Sequence, residues 1–167
     1  EAGVSGFNLE DGNSPPDLLV AKIKAIKEAV NRKGADIYIN ARADVYLRKL
    51  AAPEGPRDAM IARGRAYAAA GADGFFAPGV ADIADIRAIA TTVDLPLNIL
   101  VWPGLAPIAE LKAAGVRRVS AGSGTARAAL GALRTATREM LEAGRYDAMF
   151  KSAEGLQNMN ALFAKKS

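Results

Sequence analysis

The sequence predicts an α/β protein built on a parallel sheet, and three observations carry that prediction. A glycine separates a helix-like stretch from a strand-like one four times, at Ala2-Gly3-Val4, Lys33-Gly34-Ala35, Ala70-Gly71-Ala72 and Ala114-Gly115-Val116. Glycine just past a helix ends it by taking positive φ, so each of these reads as a helix end feeding a strand. The strands that follow are short and read as apolar on both faces, the pattern of buried parallel strands. They alternate with helical stretches over five successive units whose connections are mostly a few residues long, which requires helical crossovers.

The elements follow in order. Strands are expected over 4–10, 36–41, 74–77, 97–101 and 117–120, the fourth entered from Asp94-Leu95-Pro96 rather than from glycine. The first helix, 16–32, spaces Leu19, Ile23, Ile26 and Val30 along one face and lysines on the other. Ser14-Pro15-Pro16-Asp17 offers it a capping hydroxyl, proline in the first turn and a carboxylate near the start. Further helices are expected over 57–70, 82–91, 105–113 and 124–143. The loop 46–56 is longer than the others and has the character of a lid or a plain surface loop. Beyond Gly144, Met149, Ala153, Leu156, Met159 or Asn160, and Phe163 mark one more amphipathic helix with no strand before it. Five units are too few to close a β/α barrel, which needs eight. Glu1-Ala2-Gly3 reads as the end of a helix whose beginning is upstream, so about three more strands are expected there. The expected division is 1–144 as the C-terminal part of a barrel and 145–167 as a helical tail suited to a partner subunit.

Composition narrows the chemistry. The 167 residues carry 22 basic and 18 acidic side chains, and the basic ones are scattered rather than gathered in a stripe with aromatics, which argues against nucleic acid. There is no Cys and no His, so thiolate sites, Ser-His triads, His-ligated zinc and imidazole catalysis are excluded within this chain. No apolar run is long enough to span a bilayer, and the reading is of a cytoplasmic protein.

In a parallel α/β protein, ligands sit where strands end and helices begin. The ends here offer Glu10-Asp11-Gly12, Asn40-Ala41-Arg42-Ala43-Asp44, Pro78-Gly79, Asn98 leading to Trp102-Pro103-Gly104, and Ser120-Ala121-Gly122-Ser123-Gly124. Glu10 and Asp11 suit metal binding or acid–base work, against the plainer reading of a turn and a solvated carboxylate. Arg42 suits a substrate carboxylate or phosphate, or equally a structural bridge to Asp44 or Glu10. Backbone amides at Gly122 and Ser123, leading the last long helix, can hold an anion or merely cap that helix. Asn98 lies inside an apolar strand and needs a partner, because a buried amide left unpaired costs about 1–3 kcal/mol.

Gly6-Phe7-Asn8-Leu9-Glu10-Asp11, Ile39-Asn40-Ala41-Arg42-Ala43-Asp44, Gly71-Ala72-Asp73-Gly74-Phe75-Phe76-Ala77-Pro78-Gly79, Pro96-Leu97-Asn98-Ile99-Leu100 and Gly115-Val116-Arg117-Arg118-Val119-Ser120-Ala121-Gly122 together resemble the isocitrate lyase/phosphoenolpyruvate mutase superfamily. The order and spacing match from residue 3 to about 143. The resemblance implies a modified TIM barrel, of which this chain supplies about the last five βα units plus C-terminal helices. It implies a homodimer or homotetramer in which the last helix swaps between subunits. It implies Mg²⁺-dependent chemistry beside a carboxylate: a lyase or decarboxylase cleaving a C–C bond of a small 2-oxo or 2-hydroxy carboxylate through an enolate-like intermediate. The alternative on the same scaffold is a phosphonate-type mutase or hydrolase, and a non-catalytic barrel serving as an interaction module is a third.

Carried over by motif, Glu10 would orient a water on Mg²⁺ with Asp11 supporting it, and Arg42 would bind the substrate's acid group. Asn98, Gly122 and Ser123 would line the substrate site. The family's Asp-x-Asp metal motif would lie before residue 1. The lyase branch's mobile loop with Cys and His is absent, since Gly12-Asn13-Ser14-Pro15 runs straight into a helix. The pattern is that of the short-loop relatives.

Overall fold

The computed structural model of the chain describes residues 3–50, 54–156 and 158–164. Of the predicted first helix end, Glu1 and Ala2 lie outside the described residues, as do residues 51–53 of the long loop. Residues up to Ala121 form one compact unit and those from Gly122 a second.

The first unit is a five-stranded parallel sheet: β1 (Gly6–Glu10), β2 (Tyr38–Arg42), β3 (Gly74–Ala77), β4 (Leu97–Leu100) and β5 (Val116–Ser120), in spatial order β1-β2-β3-β4-β5. Each strand pairs with the next in sequence, so every crossover moves one strand over in the same direction, as in the wall of a β/α barrel. The crossovers are α1 (Pro16–Asn31), α2 (Pro56–Ala69), α3 (Ile83–Thr92) and α4 (Ile108–Ala113). Gly71 and Gly115, after α2 and α4, have φ of +100° and +101°, the left-handed turn that ends a helix cheaply only at glycine.

Two local expectations differ from what forms. Ser14 does not cap α1: the cap position is Pro15, which has no side-chain acceptor, and proline at the first helical turn sets the start instead. Only β3, with Phe75 and Phe76 buried on opposite faces, is apolar on both; the other strands are apolar on one face. Ile39, Ala41, Phe75, Ala77, Leu97 and Ile99 pack against Leu19 and Ile23 of α1, Met60 and Tyr67 of α2, Ile86 and Ile89 of α3 and Leu111 of α4. Each such large side chain contributes about 1.5–3 kcal/mol by leaving water. The strand residues between them carry Asn8, Glu10, Asn40, Arg42, Asn98, Arg118 and Ser120 on the opposite face. The sheet therefore has an oily side under the helices and a polar side, and the polar side is where the chemistry-bearing residues gather.

The second unit contains α5 (Gly124–Ala143), α6 (Asp147–Ser152) and α7 (Met159–Leu162). The expected single tail helix is broken, because residues 153–155 turn and Gly155 takes φ +79° between α6 and α7. Within this unit Glu139 ties α5 to α6 by accepting from the Ala148 N–H at 2.6 Å. No described helix is long and apolar enough to cross a membrane.

Candidate functional site

The register of β1 against β2 sets Glu10 beside Arg42, both on the polar face at the C-terminal edge of the sheet. Arg42 Nη1 lies 2.8 Å from Glu10 Oε2. Its other edge is occupied: Nε and Nη2 donate to the two oxygens of Asp44 at 2.6 and 3.1 Å. The guanidinium also stands 5.8 Å over the ring of Phe76, its neighbour on β3. Of the readings open for Arg42 in the sequence, both bridges form together. They hold the guanidinium flat and fixed, and leave terminal N–H groups on Nη1 and Nη2 beyond those the bridges use.

Asp44 is fully buried and accepts a second arginine, Arg48, whose Nε donates to Oδ2 at 2.7 Å. That bond is the chief reason the Arg48 guanidinium holds its proton more firmly than an ordinary arginine. The turn that brings Arg48 back is anchored from several sides. Val45 is buried, the Arg48 N–H donates to the Asp44 carbonyl at 2.9 Å, and the Tyr46 hydroxyl donates to Asp85 of α3 at 2.7 Å. Burial first, then that hydrogen bond, push the Tyr46 hydroxyl's pKa up. The start of the long loop is thus pinned rather than lid-like.

Asp11 is buried beneath this edge and engaged by three donors. The Asp44 N–H reaches Oδ1 at 2.9 Å, while Arg63 Nη1 and the Tyr67 hydroxyl, both from α2, reach Oδ2 at 2.6 Å. Burial opposes the charge on Arg63, but the bond and attraction to Asp11 outweigh it and its pKa rises. Tyr67 is raised too, by burial first and by the Asp11 carboxylate second. Three carboxylates, Glu10, Asp11 and Asp44, are therefore matched by three guanidiniums, Arg42, Arg48 and Arg63.

Asn98 sits on the same polar face on β4, paired in register with Phe76 and Arg118. Its Oδ1 accepts from the Ser120 hydroxyl at 3.1 Å, and its Nδ2 is buried with no partner among the described residues. An amide donor left so is costly unless something accepts from it, and an acid oxygen is the natural acceptor. An open cavity of about 520 Å³ beside Pro96, Lys112 and Arg117 lies at the N-terminal ends of β4 and β5, away from this edge. Gly122 and Ser123 belong to the second unit, where Ser123 precedes the first turn of α5 and makes no side-chain cap.

Glu10, Asp11, Arg42 and Asn98 thus lie on the C-terminal part of one sheet. Asp44 was legible as a partner for Arg42, whereas Arg48, Arg63 and Tyr67 were missed. Only the spacing of Arg63 and Tyr67 at i, i+4 on α2 signalled a shared target. As to the expected Mg²⁺, no three carboxylates converge as direct ligands among the described residues. Glu10, half exposed with one oxygen on Arg42, suits a carboxylate that holds the cation's waters, and Mg²⁺ commonly keeps several.

The phosphoenolpyruvate phosphomutase family profile matches residues 1–141. An uncharacterized protein of Mycobacterium tuberculosis is 37% identical over 128 residues, covering 74% of this chain and 46% of that protein. An oxaloacetate decarboxylase of Pseudomonas fluorescens is 33% identical over 143 residues, covering 77% of this chain and 46% of that enzyme. A crystal structure from Burkholderia cenocepacia, carrying the description lyase/mutase, superimposes with a TM-score of 0.85 at 34% identity, over 99% of this chain and 61% of that one. The chain spans about half the length of the curated relatives it matches. With its matched profile and its run of parallel βα units, the chain belongs to the phosphoenolpyruvate mutase/isocitrate lyase superfamily.

Proposed function

We propose that the protein containing this chain is a Mg²⁺-dependent lyase or decarboxylase that cleaves a C–C bond next to the carboxylate of a small 2-oxo or 2-hydroxy acid. The observation that carries this reading is the fixed Arg42 guanidinium, locked by Glu10 and Asp44, with Asn98 Nδ2, which has no partner among the described residues, on the same face. The similarity to oxaloacetate decarboxylases supports it.

Arg42 binds the substrate's acid group through the N–H groups its bridges do not use. It stays in place because reorienting it would break two bonds to a buried carboxylate. Asn98 donates Nδ2 to a substrate oxygen. Negative charge developing on the substrate meets a guanidinium already oriented, so little reorganisation is needed at the moment of reaction. Glu10 would hold waters of the Mg²⁺, with Asp11 fixing the strand end that carries it. When bound, Mg²⁺ supplies a hard Lewis acid where that charge develops. We further propose a cytoplasmic dimer or tetramer built through the C-terminal helices.

The test is turnover by the intact protein with Mg²⁺, offered oxaloacetate and phosphonopyruvate in parallel. Release of CO₂ from oxaloacetate is expected. Arg42→Lys should lower kcat/KM by more than about tenfold, equal to about 1.4 kcal/mol, since a lysine cannot span both Asp44 oxygens and the substrate. Turnover of phosphonopyruvate alone would move the assignment to the mutase or hydrolase alternative, and no turnover of either to an interaction module.

A further inference from the structure

We propose that Arg48 is a specificity-determining residue: with Arg42, across their shared partner Asp44, it forms a two-guanidinium clamp that selects a substrate with two acid groups over a monoacid. This rests on the reading of the edge as a carboxylate site.

Asp44 does not need Arg48. Arg42 alone engages both its oxygens, at 2.6 and 3.1 Å, and the carboxylate is fully buried. Arg48 nevertheless places Nε on Oδ2, the oxygen that Arg42 Nη2 already touches. Two like charges are thereby gathered on one atom, an arrangement that neutralising a single carboxylate does not call for. Once Nε is committed, both terminal nitrogens of Arg48 have no acceptor among the described residues, and the side chain is 40% exposed. Nη2 stands 4.0 Å from where a Cβ on Gly12 would be, so the group leans over the loop directly after Glu10 and Asp11. The backbone fixes it there. Lys49 takes φ +51°, Leu50 N–H closes on the Val45 carbonyl at 3.0 Å, and Gly79 packs so tightly against Leu47 that a Cβ would come within 2.8 Å of its nitrogen.

Charge supports the same conclusion. Without Arg48 the cluster would hold three carboxylates, two of them buried, against two guanidiniums, a field that opposes a second acid group. With it the cluster is balanced, and two planar forks offer unused donors to two carboxylates. Arg42 takes the acid beside the reacting carbon, and Arg48 takes the distal one.

The experiment is a calorimetric titration of the intact Mg²⁺-loaded protein with malate and with 2-hydroxybutyrate, which carries a methyl where malate has its distal carboxylate. Wild type, Arg48→Met and Arg48→Lys are compared, with a thermal melt on each to verify folding. Wild type should bind malate at least about tenfold more tightly than 2-hydroxybutyrate. Arg48→Met should weaken malate by about tenfold and leave 2-hydroxybutyrate within about twofold, and Arg48→Lys, which keeps a charge without the fork, should fall between. An equal loss for both acids would make Arg48 a mere support for the loop and overturn the proposal, as would no loss for either. If folded wild type binds neither acid, the carboxylate-site reading falls together with the proposal. If it binds both equally and Arg48→Met changes nothing, only the proposal falls.

Discussion

Asp11 lies one residue beyond a strand end, and its neighbours decide what it does. Two donors from α2 share Oδ2 while the Asp44 N–H takes Oδ1, so a single carboxylate couples a helix, β1 and the residue that holds Arg42. Removing one donor should be felt, since hydrogen bonds to a charged group contribute about 1.5–3 kcal/mol. Tyr67→Phe in the intact protein should lose about that much in denaturant unfolding, with a small effect on KM. A loss below about 0.5 kcal/mol would show that Arg63 alone suffices for Asp11. The raised pKa of Tyr67 adds a pH signature. The folded state holds this proton more tightly than the unfolded chain, where tyrosine titrates near about 10. The stabilisation is complete below that pH and is lost as pH rises above it. Wild type should therefore lose stability faster than Tyr67→Phe above about pH 10, and parallel curves would show that another group governs alkaline unfolding. At this scale the sequence was only partly readable. Glu10 and Asp11 are adjacent, yet one is half exposed on an arginine and the other buried on three donors. Which is which depends on Arg63 and Tyr67, 52 and 56 residues away.

The elements were more legible, because what starts and stops them is local. All five strands and the first five helices lie within a few residues of the expected spans, since glycine turns, prolines and apolar spacing act on neighbouring residues. The polar strand face was also written in the chain, as the alternation of Tyr38, Asn40 and Arg42 with Ile39 and Ala41, but brief strands hide a period of two. The broken tail had its signal in Gly155. The close approach of the β2 and β3 connections had none. Gly79 combines φ +87° with backbone atoms of Leu47 at 2.8 and 3.0 Å from any Cβ, and backbone cannot swing aside. Gly79→Ala should cost about 1–3 kcal/mol and displace the turn that carries Arg48. Thermal unfolding reads the first effect and the affinity for malate the second. An unchanged melting temperature would mean that the turn is looser than its contacts indicate.

At the scale of the whole molecule, the two units present different surfaces. In the first, apolar side chains are mostly under the helices. In the second, Leu130, Leu133, Leu141 and Phe150 are all more than 60% exposed, and of α5 only Ala136 is buried. These side chains give the second unit exposed apolar surface, and exposed apolar surface is what a protein partner covers. The helix-swapped assemblies implied by the superfamily resemblance would cover it with a second copy of the chain. Leu133→Glu with Leu141→Glu should therefore shift the intact protein from the proposed dimer or tetramer toward monomer in light scattering, because charges buried at such an interface lack partners there. Circular dichroism should stay near wild type, since both leucines already face water within one chain. An unchanged mass would take α5 out of the interface. A lower mass with lost helical signal would mean instead that these leucines hold α5 itself in place.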